Sequence, residues 1–267
     1  MLKLRIFTAT VLLAVLSMFW LPPFYWERLM AVVAALAAWE WGAMAGLKTR
    51  GRPVLAIACL CLAAFEQTNL LSLWGLLCAP FFWCLIAPFW LWRRWRLNRT
   101  RAGRGLLVCL GFCLILTAWG AFSFLRVLAG EWELLAMLGI LPALSLSAWF
   151  AGRKSGGRAF APDINPGKTW ASLYGALAGG LCYGIFLVVL MLWPLEPYKW
   201  EESWRLVSIL LFAPLFAVLG VMGDIFMTFL KHQAGMGEDD RLLPRHGSLL
   251  AILSCCFPLF AFLFVPA

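Results

Sequence analysis

Long apolar runs alternate with short polar connections along the whole chain, and the runs have the length of a bilayer crossing. A helix needs about 20 consecutive, mostly apolar residues to cross the hydrocarbon core. Runs of this kind predict about nine spans, near residues 6–24, 29–47, 53–65, 70–92, 105–125, 134–151, 171–193, 205–230 and 248–266. The third run is short, so it either re-enters the membrane or pairs with the fourth. The pattern predicts an all-α, polytopic membrane helical bundle.

Composition and charge place this bundle in the membrane. The chain is 63% hydrophobic and 13% charged, whereas soluble domains carry about 25% charged residues. Lysine and arginine cluster after the second, fourth and sixth runs, and glutamates occupy the alternate connections. Short basic loops stay in the cytoplasm, so we expect a cytoplasmic N-terminus. The net charge of +9 is then a topology signal, and nucleic-acid binding, which needs a soluble basic platform, is not expected.

The first apolar run resembles a secretory signal but is predicted to be retained. Lys3 and Arg5 precede it, and no small-x-small cleavage site follows it. The nine cysteines lie mainly inside apolar runs without zinc-site spacing, so they are interpreted as packing residues. Glu40 has two open interpretations, a polar contact inside the bundle or snorkelling to the interface. Arg126 and Glu131 are interpreted as ordinary charges at a helix end.

The chain divides into two parts of different character. Residues 1–150 read as nearly featureless transmembrane helices, and residues 151–267 as a C-terminal domain of catalytic type with cytoplasmic loops at 152–170 and 231–247. The first loop, GRKSGGRAFAPDINPGKTW, is too rich in Gly and Pro for a continuous helix. Its basic residues and the helix N-terminus that follows favour a phosphate site. The alternative is a plain positive-inside connector. The basic residues are Arg153, Lys154, Arg158 and Lys168.

A second polar element lies inside the eighth apolar run. Asp224, Thr228 and Lys231 are spaced four and three residues apart, which places them on one helical face. A carboxylate at this depth is costly and points to function. With the hydroxyl at i+4 it can help to hold Mg²⁺, a cation usually bound by one or two carboxylates plus substrate phosphates. The alternative is a structural Asp224–Lys231 pair. A basic loop, a carboxylate and a lipid setting together suggest phosphoryl or nucleotidyl transfer on a lipid.

Three motifs resemble the bacterial phosphatidate cytidylyltransferases. They are AAWEWGAMAG near the N-terminus, FAPDINPGKTW in the middle, and GDIFMTFLKHQAG followed by LLPRHG near the end. The resemblance covers the whole length. It implies a multi-helix enzyme of the bacterial cytoplasmic (inner) membrane that joins CTP and phosphatidic acid into CDP-diacylglycerol and pyrophosphate, uses Mg²⁺ and forms a homodimer.

The resemblance also assigns roles to residues. It implies catalytic roles for Asp224, Lys231 and His246, with Asp224 as a metal ligand beside Thr228. It implies that Lys168 and Thr169 hold substrate, and the basic loop residues Arg153 and Arg158 are expected to bind phosphate with them.

Several positions depart from the family pattern, and four of them bear most on activity. Ser145, Ala251 and Ser254 stand where the family has Asp, and Ile252 where it has Arg. Two hypotheses follow: a cytidylyltransferase, or an inactive or altered-specificity paralogue that binds lipid or a partner. A transporter is disfavoured, because the ionisable residues gather at one face rather than lining several spans.

Overall fold

The computed structural model describes residues 19–65, 80–97, 100–162, 164–192 and 200–235, and these are almost entirely helical. A π-helical turn, Phe82–Ile86, runs directly into α3. The helices are α1 Pro23–Met44, α2 Gly51–Phe65, α3 Ala87–Arg93, α4 Arg101–Leu138, α5 Ile140–Ser155, α6 Trp170–Leu192 and α7 Trp200–Ala234.

Within the described ranges, four helical stretches are long and apolar enough to cross a membrane. They are Arg101–Phe124, Gly130–Ser155, Trp170–Leu190 and Ala213–Ala234. The chain is therefore a multi-span membrane protein, and the count of about nine stays a prediction, because the last run and most of the first lie outside the described residues. The third predicted run forms α2, whose 15 residues reach only about 22 Å at 1.5 Å per residue.

Gly130 separates two predicted spans that are otherwise continuous. The backbone there adopts φ 83° and ψ −179°, between residues that are helical on both sides. Residues with a side chain rarely adopt a positive φ of this size, whereas glycine adopts it without a steric penalty. The runs at 105–125 and 134–151 are thus divided at the position where the sequence allows it.

The prediction for Arg126 is wrong. Its guanidinium is 4% exposed and lies over the Trp26 ring, 4.5 Å from the centroid. Its two terminal nitrogens donate to the carbonyl oxygens of Phe19 and Leu21, each at 2.5 Å. A buried guanidinium has to place its donors on acceptors, so Arg126 ties the start of the described chain to α4 instead of facing water.

The two interpretations of Glu40 are resolved in favour of burial. Glu40 is 3% exposed, so it does not snorkel to the interface. The neighbouring Trp41 is 1% exposed and donates its indole N–H to the Leu107 carbonyl oxygen at 2.7 Å. A Cβ at Gly111 would overlap that indole. This close contact holds α1 against α4.

Small residues let α6 pack tightly against both of its neighbours. A Cβ on Gly175 would overlap Ala151 of α5, and one on Gly179 would overlap Ser147 of α5. On the other side, a Cβ on Gly180 would lie 3.0 Å from the Ala213 carbonyl oxygen of α7. Glycines spaced in this way allow transmembrane helices to approach closely. Helices α5, α6 and α7, the last three in the described part of the chain, therefore form one packed group.

The loop at 152–170 contains a small β-hairpin, which the all-α prediction did not include. Strand β1, Ala159–Ala161, pairs antiparallel with β2, Asn165–Thr169. The hairpin closes where the Trp170 amide donates to the Arg158 carbonyl oxygen at 3.2 Å. Gly156 and Gly157 precede it with positive φ values of 57° and 99°. The expectation that no continuous helix forms here is confirmed, whereas the division of the chain at residue 150 stays a prediction.

Candidate active site

The two polar elements predicted from sequence meet in the structure. The Lys168 ammonium, on β2, lies 2.7 Å from Oδ2 of Asp224, on α7. The two side chains are 32% and 24% exposed, so the pair is sheltered but still reached by solvent. The basic loop at 152–170 and the part of α7 that carries Asp224 therefore belong to one site rather than two.

A helix cap fixes the backbone next to Lys168. Thr169 precedes the first residue of α6, and its Oγ1 accepts from the Ser172 amide at 3.2 Å. The Ser172 hydroxyl oxygen in turn accepts from the Thr169 amide at 3.1 Å. This reciprocal arrangement has the form of a capping box. Gly152 makes room for it, since a Cβ there would come 3.2 Å from the Ser172 Cβ. The structure thus uses the Thr169 hydroxyl and Gly152 locally, in positioning α6.

The opposite side of the site is the middle of α7. The Thr228 hydroxyl donates to the Asp224 backbone carbonyl at 2.8 Å, as expected for a threonine one turn later on the same face. Its lone pairs stay available to a cation, while its proton is used by the helix. Lys231 is half-buried one turn further on. Asp224 therefore has a partner from another segment, and its pairing with Lys231 stays a prediction.

Lys168 and Asp224 form the polar end of a groove between α5, α6 and α7. The rest of the groove is lined mainly by apolar side chains, with Ser145 as its one hydroxyl, and its cavity volume is about 30 Å³. That is room for roughly one or two water molecules. The cavity therefore places the charged pair next to apolar faces of α5, α6 and α7, and its size is that of water and not of an acyl chain. The other lining residues are Leu141, Leu144, Ala148, Ala176, Ala217, Gly220 and Val221.

Several predicted site residues are not brought to this groove. Arg153 and Arg158 are exposed, and the Arg153 guanidinium lies over the Trp149 ring, 5.2 Å from the centroid. His246 lies outside the described residues, as do positions 251, 252 and 254. The described part of the chain thus contains the Lys168–Asp224 half of the predicted site.

The described residues of the site could supply only part of the ligand set of a magnesium ion. Among the described residues, no three His, Cys, Asp or Glu side chains come together as a metal cluster. Asp224 supplies one carboxylate, which is partly exposed and faces a cavity that can hold water. Mg²⁺ keeps several waters and often takes one or two carboxylates plus substrate phosphates. The residues therefore fit an ion that is completed by substrate, not one enclosed by protein.

One contact near the site has no sequence signal. Gln233, near the end of α7, donates its amide N–H to the Trp95 carbonyl oxygen at 2.7 Å, and the Trp90 indole donates to the same oxygen at 2.9 Å. This pairing fixes the end of α7 just beyond Lys231. The partners are 138 residues apart, and no local pattern relates them.

Comparison with known proteins defines the class. The sequence model of the Cytidylyltransferase family matches residues 3–266, so the chain belongs to that family.

Among individual relatives, a phosphatidate cytidylyltransferase of Pseudomonas aeruginosa is 31% identical over 98% of this chain and 96% of its own length. One of Haemophilus influenzae is 24% identical over 99% of both chains. A shorter match, to a phosphatidate cytidylyltransferase of Brucella abortus, is 28% identical over 43% of this chain and 38% of the relative.

Proposed function

We propose that this protein is a phosphatidate cytidylyltransferase of phospholipid biosynthesis, which converts CTP and phosphatidic acid to CDP-diacylglycerol and pyrophosphate. Family membership and full-length similarity to enzymes of that name support the proposal. The structural observation that carries it is the Lys168–Asp224 pair at the polar end of an apolar groove. The ammonium of this pair, next to apolar helix faces, would suit the phosphate group of a lipid.

In the proposed reaction, a phosphate oxygen of phosphatidic acid attacks the α-phosphorus of CTP. The bond from that phosphorus to the oxygen bridging to the β-phosphate breaks, and pyrophosphate leaves. Little covalent chemistry falls to the protein in such transfers, because positioning and charge neutralisation lower most of the barrier. The groove orients the lipid, and Lys168 binds a phosphate oxygen.

The remaining roles follow the same proposal. Asp224 and Thr228 would hold Mg²⁺, which would supply positive charge to neutralise the phosphates. Lys231 and His246 contact phosphate and complete the catalytic site, and Thr169 holds the substrate-binding segment at the start of α6. Arg153 and Arg158 attract anionic substrate to the cytoplasmic face. We further propose a homodimer in the bacterial inner membrane, with about nine spans and a cytoplasmic N-terminus.

The inactive-paralogue hypothesis rests on Ser145, Ala251, Ile252 and Ser254. Three of these positions lie outside the described residues, and Ser145 lines the groove without blocking it. None of the comparisons favours an inactive protein. We therefore retain the enzyme as the proposed function.

The test uses purified full-length protein in mixed micelles with CTP, Mg²⁺ and either phosphatidic acid or phosphatidylcholine. We expect CDP-diacylglycerol only with phosphatidic acid, and a loss of at least about 100-fold in Asp224→Asn, the range seen when one pre-organised charge is removed from an active site. Lys48→Met is the control, since Lys48 is exposed between α1 and α2 and has no part in the proposed site. The proposal would be overturned if the wild-type protein made no CDP-diacylglycerol from phosphatidic acid of any acyl-chain composition.

A further inference from the structure

We propose that Lys168 exchanges partners during the reaction cycle: it neutralises Asp224 in the metal-free protein, and it moves to the substrate phosphate when a divalent cation takes the carboxylate. The inference deepens the proposed function and rests on it for the second half of the cycle. The first half, competition between an ammonium and a metal for one carboxylate, depends only on the described geometry.

The Lys168 ammonium occupies the place that a metal bound to Asp224 would take. It lies 2.7 Å from Asp224 Oδ2, which places a positive charge where a metal bound to that oxygen would sit. An ammonium and a divalent cation a few ångströms apart repel each other, and the repulsion is strong where water is partly excluded. One carboxylate oxygen cannot serve both cations, and a divalent cation on the other oxygen, Oδ1, would still lie within a few ångströms of the ammonium. Metal binding therefore favours the departure of Lys168.

The side chain of Lys168 can leave Asp224, whereas its backbone is held in place. Strand pairing joins Ala159 to Thr169, and the Thr169–Ser172 cap fixes the next residue on α6. Lysine carries its charge on a flexible four-carbon stem, and this one is 32% exposed. The exchange is therefore a side-chain rotation and does not need the hairpin to open.

A substrate phosphate in the groove is the destination of the released ammonium. Lys168 and Asp224 line the same end of the groove, so a phosphate placed there meets the lysine as soon as the carboxylate has another counter-ion. Without metal, the neutral pair offers little attraction to a phosphate. With metal, the same end of the groove gains two units of positive charge. Metal and lipid phosphate should therefore strengthen each other's binding.

The experiment measures Mn²⁺ binding without turnover. Full-length protein in detergent is titrated with Mn²⁺, and free Mn²⁺ is read from its room-temperature EPR signal, for wild type, Lys168→Met, Lys168→Arg, Lys48→Met and Asp224→Asn. Lys48→Met removes the same charge from an exposed position between α1 and α2, outside the proposed site, so it controls for net charge. Lys168→Arg keeps a cation beside Asp224 and also shows whether position 168 tolerates substitution.

We expect Lys168→Met to bind Mn²⁺ about fivefold more tightly than wild type, since a partly exposed ion pair contributes up to roughly that factor. Lys168→Arg and Lys48→Met should stay within about twofold of wild type, and Asp224→Asn should lose the site. Equal or weaker binding by Lys168→Met, or full binding by Asp224→Asn, overturns the exchange. Failure of the proposed function gives a different result: no CDP-diacylglycerol from wild type, whatever the Mn²⁺ affinities.

Discussion

Gly179 lies in the close contact between α5 and α6, two of the helices that line the groove. It faces α5 across the α5–α6 contact, and a Cβ there would overlap Ser147 Cβ and Oγ and lie 3.0 Å from the Ala143 carbonyl oxygen. Two of these neighbours belong to a side chain and one to rigid backbone. Gly179→Ala therefore forces the helices apart instead of displacing one flexible group.

The size of the effect follows from overpacking and helix propensity. One extra carbon in a well-packed contact costs about 1–3 kcal/mol, and the gain from replacing glycine in a helix returns about 1 kcal/mol at most. Gly105 supplies the matched control, because it lies in α4 with nothing within 4 Å of a Cβ. Gly105→Ala should thus be neutral or slightly stabilising, while Gly179→Ala is destabilising by up to about 2 kcal/mol.

The assay is thermal unfolding in lipid nanodiscs, together with turnover at a temperature where every variant is folded. We expect a lower Tm for Gly179→Ala than for Gly105→Ala, by about 2–4 °C for each kcal/mol. Adding Ser147→Gly removes the overlapping Cβ and hydroxyl and should recover most of the loss. If Gly179→Ala matches Gly105→Ala in stability and in turnover, the close α5–α6 contact is not what holds the groove together.

Three further predictions concern other contacts. Arg126→Met should lower the free energy of unfolding by about 3 kcal/mol, because it leaves the buried Phe19 carbonyl and the partly buried Leu21 carbonyl without their charged donor. Exposed Arg104→Met should change it by no more than about 0.5 kcal/mol, and equal melting curves for the two variants would contradict the burial of Arg126. Ser172→Ala removes the half of the α6 cap in which the Ser172 hydroxyl accepts from the Thr169 amide, and should cost up to about 1 kcal/mol while raising KM for the lipid more than KM for CTP. Ser145→Asp adds a carboxylate to the groove that Asp224 also lines and should tighten Mn²⁺ binding about tenfold by EPR titration, and an unchanged affinity would remove Ser145 from the metal's surroundings.

The sequence predicted the helices better than their limits. Run length alone located α1, α6 and α7, because a bilayer crossing imposes its length on the chain. It separated the fifth and sixth runs correctly but did not foresee that helix continues almost to Gly130 from both sides. The β-hairpin was missed because glycine and proline exclude a helix without specifying which extended structure replaces it.

The sequence predicted the residues on the two sides of the site, but it did not predict the contact between Lys168 and Asp224. Helical spacing placed Asp224 and Thr228 on one face from the sequence alone. The meeting of Lys168 with Asp224 depends on how closely α6 approaches its neighbours, which Gly175 and Gly180 decide through packing that no local pattern encodes. Arg126 was misread for a similar reason: its acceptors lie 107 and 105 residues away, and a buried arginine looks the same in sequence as a solvated one.

The central claim is that this chain transfers a cytidylyl group to a lipid phosphate, and the most direct measurement follows the two ends of CTP separately. With CTP labelled at the α-phosphate, the label should enter the lipid fraction. With CTP labelled at the γ-phosphate, it should leave as pyrophosphate in a one-to-one ratio with lipid product, and Asp224→Asn should abolish both. Label released as free CMP or inorganic phosphate with none in lipid, or an unchanged rate in Asp224→Asn, would contradict the account.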